Sequence, residues 1–245
     1  MEKSLNEYEQ RFLSLEENLK VIRDNIGEAA IKSGRNPQNI TLLAATKTVP
    51  VPVINKGIAL GINTIGENKV QELCEKYDEL DLTNCDCQFI GHLQTNKVKQ
   101  LIGKVSMIQS VDSVKLAQEI SRLSAAQNRT TNILIEVNIG SEENKSGILP
   151  QNLEELISQI SCLPAISIRG LMAIPPICEN NFEVRQYFSN MYKYFIDIKG
   201  KKIDNISMDY LSMGMSGDYA QAILEGANMV RVGSALFGAR IYKKE

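Results

Sequence analysis

Eight short apolar runs, set apart by amphipathic or polar stretches, leave few folds open to this chain. The runs are Ile40–Thr46, Ile62–Gly66, Cys87–Gly91, Val105–Val111, Asn132–Asn138, Ile166–Met172, Ile206–Ser212 and Asn228–Val232. Most are too uniformly apolar for a sheet with one face in water, which favours parallel strands buried on both faces. Helical patterns lie between most of them, at Val51–Leu60, Lys69–Leu80, Val114–Asn128, Gln151–Ser161, Asn181–Lys199 and Gly217–Gly226. Strands that alternate with helices predict βαβ units and a parallel sheet.

Eight such units in about two hundred residues predict a closed sheet, a single (β/α)8 TIM barrel. An open, doubly wound sheet is the alternative, and alternation alone does not exclude it. No G-x-G-x-x-G follows the first run and no G-x-x-x-x-G-K-[ST] occurs anywhere, which weakens the usual nucleotide-binding forms of that sheet. Two domains of about 120 residues would fit the length. No linker marks a boundary, so residues 1–245 are predicted to form one domain.

The N-terminal segment has a different pattern from the repeat that follows it. Apolar residues recur there at steps of three and four, at Leu5, Tyr8, Phe12, Leu15, Leu19, Ile22, Ile26 and Ala29. This spacing predicts one long helix, and Gly34 is placed to end it. Because no strand precedes the helix, residues 1–36 are predicted to be an extension packed on the barrel.

Composition excludes several classes of function. The net charge is −2, from 27 basic and 29 acidic residues, whereas nucleic-acid binding usually needs a concentrated basic field. The run Lys199 to Lys202 is interpreted as a solvated loop. No apolar stretch approaches the roughly 18 residues of a membrane span, and the polar N-terminus is no signal peptide. Five scattered cysteines, without zinc spacing, predict a reduced, cytoplasmic chain. We expect a monomer, since no strongly apolar surface stripe is left unassigned.

Polar residues gather where the predicted strands end, the face on which barrel active sites form. Lys47 follows the first strand, and Glu67 and Asn68 follow the second. An ammonium group after Leu-Leu-Ala-Ala-Thr needs a cavity or a partner. If desolvation or positive charge lowers its pKa, it can form a Schiff base with a carbonyl compound. The alternative is a lysine that extends to solvent at the barrel rim or pairs with Glu67.

The last two loops predict an anion site. Ser212-Met213-Gly214-Met215-Ser216-Gly217 links the seventh strand to a helix, and Gly233-Ser234 follows the eighth. Glycine lets backbone N–H groups approach a ligand, and loops seven and eight are the usual phosphate site of such barrels. Ordinary turn glycines and N-cap serines are the alternative. Arg231 could pair with phosphate, contact a ring nitrogen or form a structural salt bridge.

The motifs, taken in order, resemble the pyridoxal phosphate homeostasis protein family from about residue 18 to residue 240. They are Leu-Leu-Ala-Ala-Thr-Lys-Thr at 42–48, Gly-Glu-Asn-Lys-Val-Gln-Glu at 66–72, Phe-Ile-Gly-His-Leu-Gln-Thr-Asn-Lys at 89–97, Glu-Val-Asn-Ile at 136–139, Lys-Ser-Gly-Ile at 145–148, Arg-Gly-Leu-Met-Ala-Ile-Pro at 169–175, Leu-Ser-Met-Gly-Met-Ser at 211–216 and Val-Arg-Val-Gly-Ser-Ala-Leu-Phe-Gly at 230–238. Any one of them is weak, whereas all in this order are highly specific. Two positions depart from the family pattern: Lys69 replaces an aromatic residue and Ile65 a phenylalanine.

The resemblance implies an alanine racemase-like barrel of fold type III that holds pyridoxal 5′-phosphate (PLP) as a Schiff base on Lys47. It further implies that the cofactor-binding residues are Lys47, Asn68, Ser212, Met213, Ser216, Arg231, Gly233 and Ser234. Of these, Arg231 would face the pyridine nitrogen, and residues of the last two loops would contact the phosphate. An arginine there disfavours protonation of the ring nitrogen and so weakens the electron sink of carbanion chemistry.

The function that follows is PLP homeostasis without catalytic turnover. Racemases of this fold carry a second domain that supplies a catalytic tyrosine, as the resemblance implies, and we expect none here. Two alternatives stay open. One is a PLP-dependent racemase or related enzyme with a narrow substrate that uses Glu67, His92 (the only histidine) or a loop tyrosine as acid or base. The other is an interaction protein that passes PLP to apo-enzymes.

Overall fold

A computed structural model describes residues 2–238, and in it the strands close into an all-parallel barrel ordered from first to last. The strands of the described chain are β1 Thr41–Ala45, β2 Thr64–Glu67, β3 Asp86–Phe89, β4 Met107–Val111, β5 Thr131–Val137, β6 Ile166–Ala173, β7 Ile206–Ser212 and β8 Met229–Val232. Each overlaps one of the predicted runs, with ends that differ by at most two residues. Pairing of Leu43 with Arg231 between β1 and β8 closes the sheet. The closed barrel is therefore confirmed, and the open sheet is excluded.

Helices cover the outside of the barrel. Those of the described chain are α1 Glu2–Lys32, α2 Val51–Ala59, α3 Val70–Lys76, α4 Val114–Ala126, α5 Leu153–Ile160, α6 Asn181–Lys201, α7 Tyr219–Leu224 and α8 Ser234–Phe237. Short 3-10 segments lie at Pro37–Asn39, Tyr77–Glu79, Thr95–Gln100 and Pro150–Asn152. All six helices predicted between the strands are present, with ends that differ by a few residues.

One local expectation was wrong, and one element was not predicted. The run Lys199 to Lys202 is not a loop, because α6 continues through Lys201 and only Lys202 leaves the helix, with φ +48°. Basic residues in a last helical turn interact favourably with the helix dipole. The 3-10 segment Thr95–Gln100, which connects β3 to β4, was not predicted. Val98 is its single buried residue, so the segment lacks the apolar stripe that marks a helix in sequence.

The N-terminal helix packs on the barrel as predicted. Leu15, Leu19, Ile22 and Ile26 are buried in the main core, and α1 contacts α2, α7 and α8. Asn25 Nδ2 donates to the hydroxyl of Tyr219 on α7 at 3.0 Å. Gly34, with φ +72°, follows the end of the helix. The extension thus supports the two helices that begin after the seventh and eighth strands.

Strand alternation divides the apolar residues between two cores. Ala44 of β1 belongs to the large core between the barrel and its helices, whereas Leu43 and Ala45 belong to a small cluster with Ile90 and Met229. A second small cluster joins Met107, Leu134 and Met172, and Tyr210 packs against both small clusters. The two small clusters fill the barrel interior below the carboxyl ends of the strands.

Three further expectations concern absences. No helix within residues 2–238 is long and apolar enough to cross a membrane. The five cysteines, which all lie in the described chain, are unpaired. The described residues contain no group of three or more histidine, cysteine or acidic side chains that could hold a metal ion.

Candidate functional site

Lys47 lies in the turn that follows β1, at the carboxyl end of the barrel. The backbone N–H of Thr46 still bonds to the carbonyl of Gly66 on β2, at 2.9 Å, and the turn begins directly after it. Since Leu43 and Ala45 face the barrel interior, Lys47 is the next residue on that side of the strand. Its side chain is partly buried. Lys47 therefore lies at the mouth of the barrel.

The last two loops meet beside this lysine. The hydroxyl of Ser216 accepts hydrogen bonds from the backbone N–H groups of Gly233 and Ala235, each at 3.2 Å. A Cβ on Gly233 would lie 3.3 Å from the carbonyl oxygen of Ala45. The eighth loop therefore passes close to the end of β1, with Ser216 as its link to the seventh loop. Ser234 is exposed at the start of α8.

Two predicted phosphate contacts lie deeper than the others. The hydroxyl of Ser212 is fully buried inside the barrel, where it donates to Gln109 Oε1 at 2.7 Å. Met213 is buried too, and its N–H donates to the carbonyl of Met229 at 3.1 Å. The polar groups of these two residues are bound within the protein, unlike the exposed hydroxyl of Ser234.

Arg231 is buried at the end of β8 and is held by two hydrogen bonds. Nη1 donates to Ser212 Oγ at 2.7 Å and Nη2 to the carbonyl of Ala173 at 2.9 Å. No ion pair is formed by Arg231 among the described residues, so the structural salt bridge is not observed. Burial lowers the pKa of Arg231 to about 10, although the charges of Glu136 and Asp218 oppose this. The guanidinium is therefore cationic at neutral pH.

Sequence reasoning missed the polar chain that holds Arg231. Gln109 Nε2 donates to Gln88 Oε1 at 2.6 Å, and Ser212 joins Gln109 to Arg231. These residues come from β3, β4, β7 and β8, so the chain crosses the barrel from one side to the other. A usable signal existed, because Gln88 and Gln109 are each the only amide side chain in their predicted strand run.

Asn68 lies on the interior side of the chain, directly after β2. Its Oδ1 is buried and accepts no hydrogen bond from any described residue. The absence of a side chain at Gly91 permits this placement, because a Cβ there would lie 2.0 Å from the carbonyl oxygen of Asn68. Ser110 Oγ and Glu136 Oε2, both in the barrel, are likewise buried without a partner in the described chain. Buried polar atoms are rarely left unpaired, so the Asn68 acceptor, directly after β2, fits a polar ligand at the mouth.

The sequence led us to expect Glu67 at the mouth, but the structure places its side chain elsewhere. It is the last residue of β2, and its Oε1 is bound by Lys76 Nζ of α3 at 2.9 Å on the outside of the barrel. Neither a role as acid or base at the mouth nor an ion pair with Lys47 fits this position. His92 is exposed in the loop after β3, where Nδ1 lies 3.1 Å from Ser146 Oγ.

The two departures from the family pattern lie away from the interior. Ile65 is fully buried in the core between the barrel and the helices, and Lys69 is exposed before the first turn of α3. Asn138 organises its own loop, since its Oδ1 accepts from the N–H of Glu142 at 3.1 Å. The mouth is therefore formed chiefly by the ends of β1, β2, β7 and β8.

This set of groups fits the cofactor that the resemblance implies. PLP offers an aldehyde, a phosphate and a pyridine ring to a binding site. Lys47 supplies an amine, Asn68 an unpaired buried acceptor, and Arg231 a fixed guanidinium. The linked loops bring Ser216, Gly233 and Ser234 together at the start of α8.

Comparison with known proteins gives a consistent picture. The model of the family "Alanine racemase, N-terminal domain" matches residues 15–241. The pyridoxal phosphate homeostasis protein of Aquifex aeolicus is 43% identical over 226 residues, which cover 92% of this chain and 98% of the relative. The structure of PipY from Synechococcus elongatus with PLP bound has a TM-score of 0.79 at 30% identity. The match covers 91% of this chain and 100% of PipY.

A more distant likeness supports the fold alone. Alanine racemase of Clostridium difficile matches with a TM-score of 0.69 at 16% identity, over 94% of this chain and 58% of the racemase. The relatives of high identity are named as homeostasis proteins and not as racemases. The family predicted from the motifs is confirmed: this chain belongs to the pyridoxal phosphate homeostasis protein family, within the alanine racemase N-terminal domain fold.

Proposed function

We propose that this chain binds PLP at the barrel mouth and serves PLP homeostasis as a carrier without catalytic turnover. The observation that carries the proposal is the position of Lys47, at the end of β1 and beside the joined seventh and eighth loops. The PLP-bound structure of PipY, a relative matched over 91% of this chain, supports it.

The covalent link would form on the side-chain amine of Lys47. Lys47 would supply the neutral amine, and the aldehyde of PLP would supply a reversible condensation that releases one water molecule. No electrons are transferred, and addition of water reverses the step. This chemistry needs no further reagent, so it suits a protein that must take up and release the same molecule.

The remaining contacts follow from where the structure holds each group. We assign the phosphate to Ser216, Gly233 and Ser234, since these residues meet beside Lys47. Contacts from Ser212 and Met213 rest on the family resemblance, because both residues are fully buried, whereas Ser216 and Gly233 are partly exposed and Ser234 is exposed. Arg231 would face the ring nitrogen, and Asn68 would lie near the cofactor.

A racemase with a narrow substrate is the second candidate, and the site favours it less. A permanently cationic Arg231 beside the ring nitrogen would weaken the electron sink that racemisation requires. Glu67, one candidate acid or base, is bound to Lys76 outside the barrel. The names of the high-identity relatives also favour homeostasis.

Turnover assays would separate the two candidates. The purified PLP-loaded protein is incubated with a panel of L- and D-amino acids, beside a Lys47→Ala variant, and each product is quantified by chiral chromatography. The carrier predicts no formation of the opposite enantiomer above the Lys47→Ala background for any amino acid. Racemisation or decarboxylation that depends on Lys47 would refute it.

The recipients of PLP, the oligomeric state and the compartment belong to the same proposal. We infer a cytoplasmic monomer that gives up PLP to apo-enzymes. Loaded protein is mixed with an apo-enzyme, and recovery of that enzyme's activity is timed against PLP release into buffer. Transfer faster than release supports direct delivery, whereas equal rates support simple buffering. Light scattering of the PLP-free and loaded protein tests the monomer.

A further inference from the structure

A cluster of three charged side chains lies on the outer side of the barrel, directly behind Lys47. We call Glu67, Glu72 and Lys76 the anchor cluster. Lys76 Nζ of α3 lies 2.9 Å from Glu67 Oε1 and 2.7 Å from Glu72 Oε1. The carboxylate of Glu67 is fully buried, and the other two side chains are largely buried. No group of the cluster has a part in the chemistry proposed above.

The anchor cluster binds the residues on both sides of Lys47. On one side, the hydroxyl of Thr46 donates to Glu67 Oε1 at 2.7 Å, and Lys76 Nζ donates to the carbonyl of Thr46 at 3.0 Å. On the other side, the backbone N–H of Thr48 donates to Glu72 Oε1. Lys76 thus connects both ends of a three-residue segment whose central residue is Lys47.

The backbone of this segment needs such support. Thr48 has a φ of +64°, in the left-handed region that a β-branched residue rarely adopts. A conformation of this kind is unfavourable and persists only where its surroundings hold it. A hydrogen bond from an N–H to a carboxylate is among the stronger ones in proteins. The bond from Thr48 to Glu72 therefore stabilises the unfavourable turn.

Stability alone is a poor explanation for the anchor cluster. Desolvation of buried charges offsets much of their attraction, and apolar residues often replace such pairs without loss. Here burial raises the pKa of Glu67, against the opposing effect of Lys76, and Glu67 Oε2 is buried without a partner among the described residues. The hydrogen bonds that the cluster does form outside itself are those that fix the Thr46–Thr48 turn.

We propose that Lys76, with Glu67 and Glu72, is a positioning residue that holds the Thr46–Thr48 turn so that Lys47 presents its amine to the cofactor in one orientation. This inference rests on the proposed function. It differs from a catalytic role because no member of the cluster touches the cofactor. Loss of an anchor should therefore slow the attachment of PLP while the barrel stays folded.

A matched pair of variants tests this directly. Glu72→Gln replaces the charged acceptor of one anchor with a neutral amide, which forms weaker bonds with the Thr48 N–H and Lys76, and Glu225→Gln is its control. Glu225 pairs with Arg185 at 2.7 Å and its side chain is 18% exposed, the same values as for Glu72 with Lys76. The rate of PLP attachment is followed by visible absorbance after mixing. We expect attachment to be about tenfold slower in Glu72→Gln than in wild type, since a misplacement of about 1 Å can slow a reaction about a hundredfold and the contacts of Glu67 and Lys76 still hold part of the turn. Attachment in Glu225→Gln should be within about twofold of wild type.

Two further measurements apply even if Glu72→Gln weakens the fold. In the PLP-free protein, hydrogen exchange at the Thr48 amide should be faster in Glu72→Gln and unchanged in Glu225→Gln. Adding Thr48→Gly to Glu72→Gln should restore most of the attachment rate, because glycine adopts positive φ without an anchor. Normal attachment in Glu72→Gln, or an equal loss in the control, would overturn the inference. Attachment of PLP that does not depend on Lys47 would instead refute the proposed function.

Discussion

Glu136 places a carboxyl group inside the barrel, where it loses most of its hydration. Burial raises its pKa to about 7, and Asp112 adds to the increase while Arg231 opposes it. The ordinary value is 4.5, so the folded protein holds this proton over a pH range in which the unfolded chain has released it. The contribution to stability is fully present below about pH 4.5 and is lost as pH rises through about 7.

A variant without the titrating group should have a flatter stability profile. We expect the thermal midpoint of PLP-free Glu136→Gln to fall less between pH 5 and pH 8 than that of wild type. One pKa unit corresponds to about 1.4 kcal/mol, so the free energy of unfolding that wild type loses and the variant keeps over this pH range is at most about 3 kcal/mol. Differential scanning calorimetry at both pH values measures it. Parallel profiles for the two proteins would contradict this account of Glu136.

Ser212 connects two buried side chains, so its loss should affect more than one hydrogen bond. Ser212→Ala leaves Arg231 Nη1 and Gln109 Oε1 without this partner in the interior. A buried group that loses its partner is unfavourable by about 1–3 kcal/mol. We expect a destabilisation of that size in urea unfolding. Ser158→Ala, on the exposed face of α5, is the control and should change the free energy of unfolding by less than about 0.5 kcal/mol.

At the level of single residues, the sequence singles out Lys47 and Arg231 as candidate site residues but does not predict their surroundings. Lys47 is conspicuous because a charged residue follows a run of apolar ones. The chain from Gln88 to Arg231 depends on which residues of distant strands become neighbours once the barrel closes, and the spacing along one strand does not contain that information. Glu67 was misassigned for a related reason: β2 extends one residue further than its apolar run, so Glu67 faces α3.

Among the elements, substitutions in α1 test whether the N-terminal extension packs on the barrel. Leu19 of α1 is 3% exposed, whereas Leu13 on the same helix is 62% exposed. Leu19→Ala should lower the free energy of unfolding by about 2–5 kcal/mol, as for other buried leucines, and Leu13→Ala by less than about 0.5 kcal/mol. Urea unfolding of the two variants measures this difference. Equal effects would mean that α1 does not pack on the barrel as described.

The strands and most helices were predictable because each has a strong periodic pattern. Short apolar runs stand out from the stretches between them where the strand is buried on both faces, as in β4, whose residues Met107–Val111 are all buried. The connection from β3 to β4 was not predictable for the opposite reason. Only Val98 of Thr95–Gln100 is buried, so tertiary contacts, and not a pattern in the sequence, determine its conformation.

For the whole molecule, we propose that residues 1–245 form one cooperative domain. The barrel core extends from α1 through all eight strands to α8. The PLP-free protein should therefore unfold in a single transition that is the same by far-UV circular dichroism and by tyrosine fluorescence. The chain has eight tyrosines and no tryptophan, so the tyrosine signal is free of interference. Two separate transitions would favour the division into two domains that length alone allows.

The central claim is that Lys47 holds PLP covalently, and one spectroscopic comparison tests it. Purified wild type and Lys47→Ala are mixed with PLP, and their visible absorption spectra are recorded before and after borohydride reduction. We predict a Schiff-base band in wild type alone, with the reduced adduct located on the peptide that contains Lys47 by mass spectrometry. Absence of the band in wild type, or a band that persists in Lys47→Ala, would contradict the account.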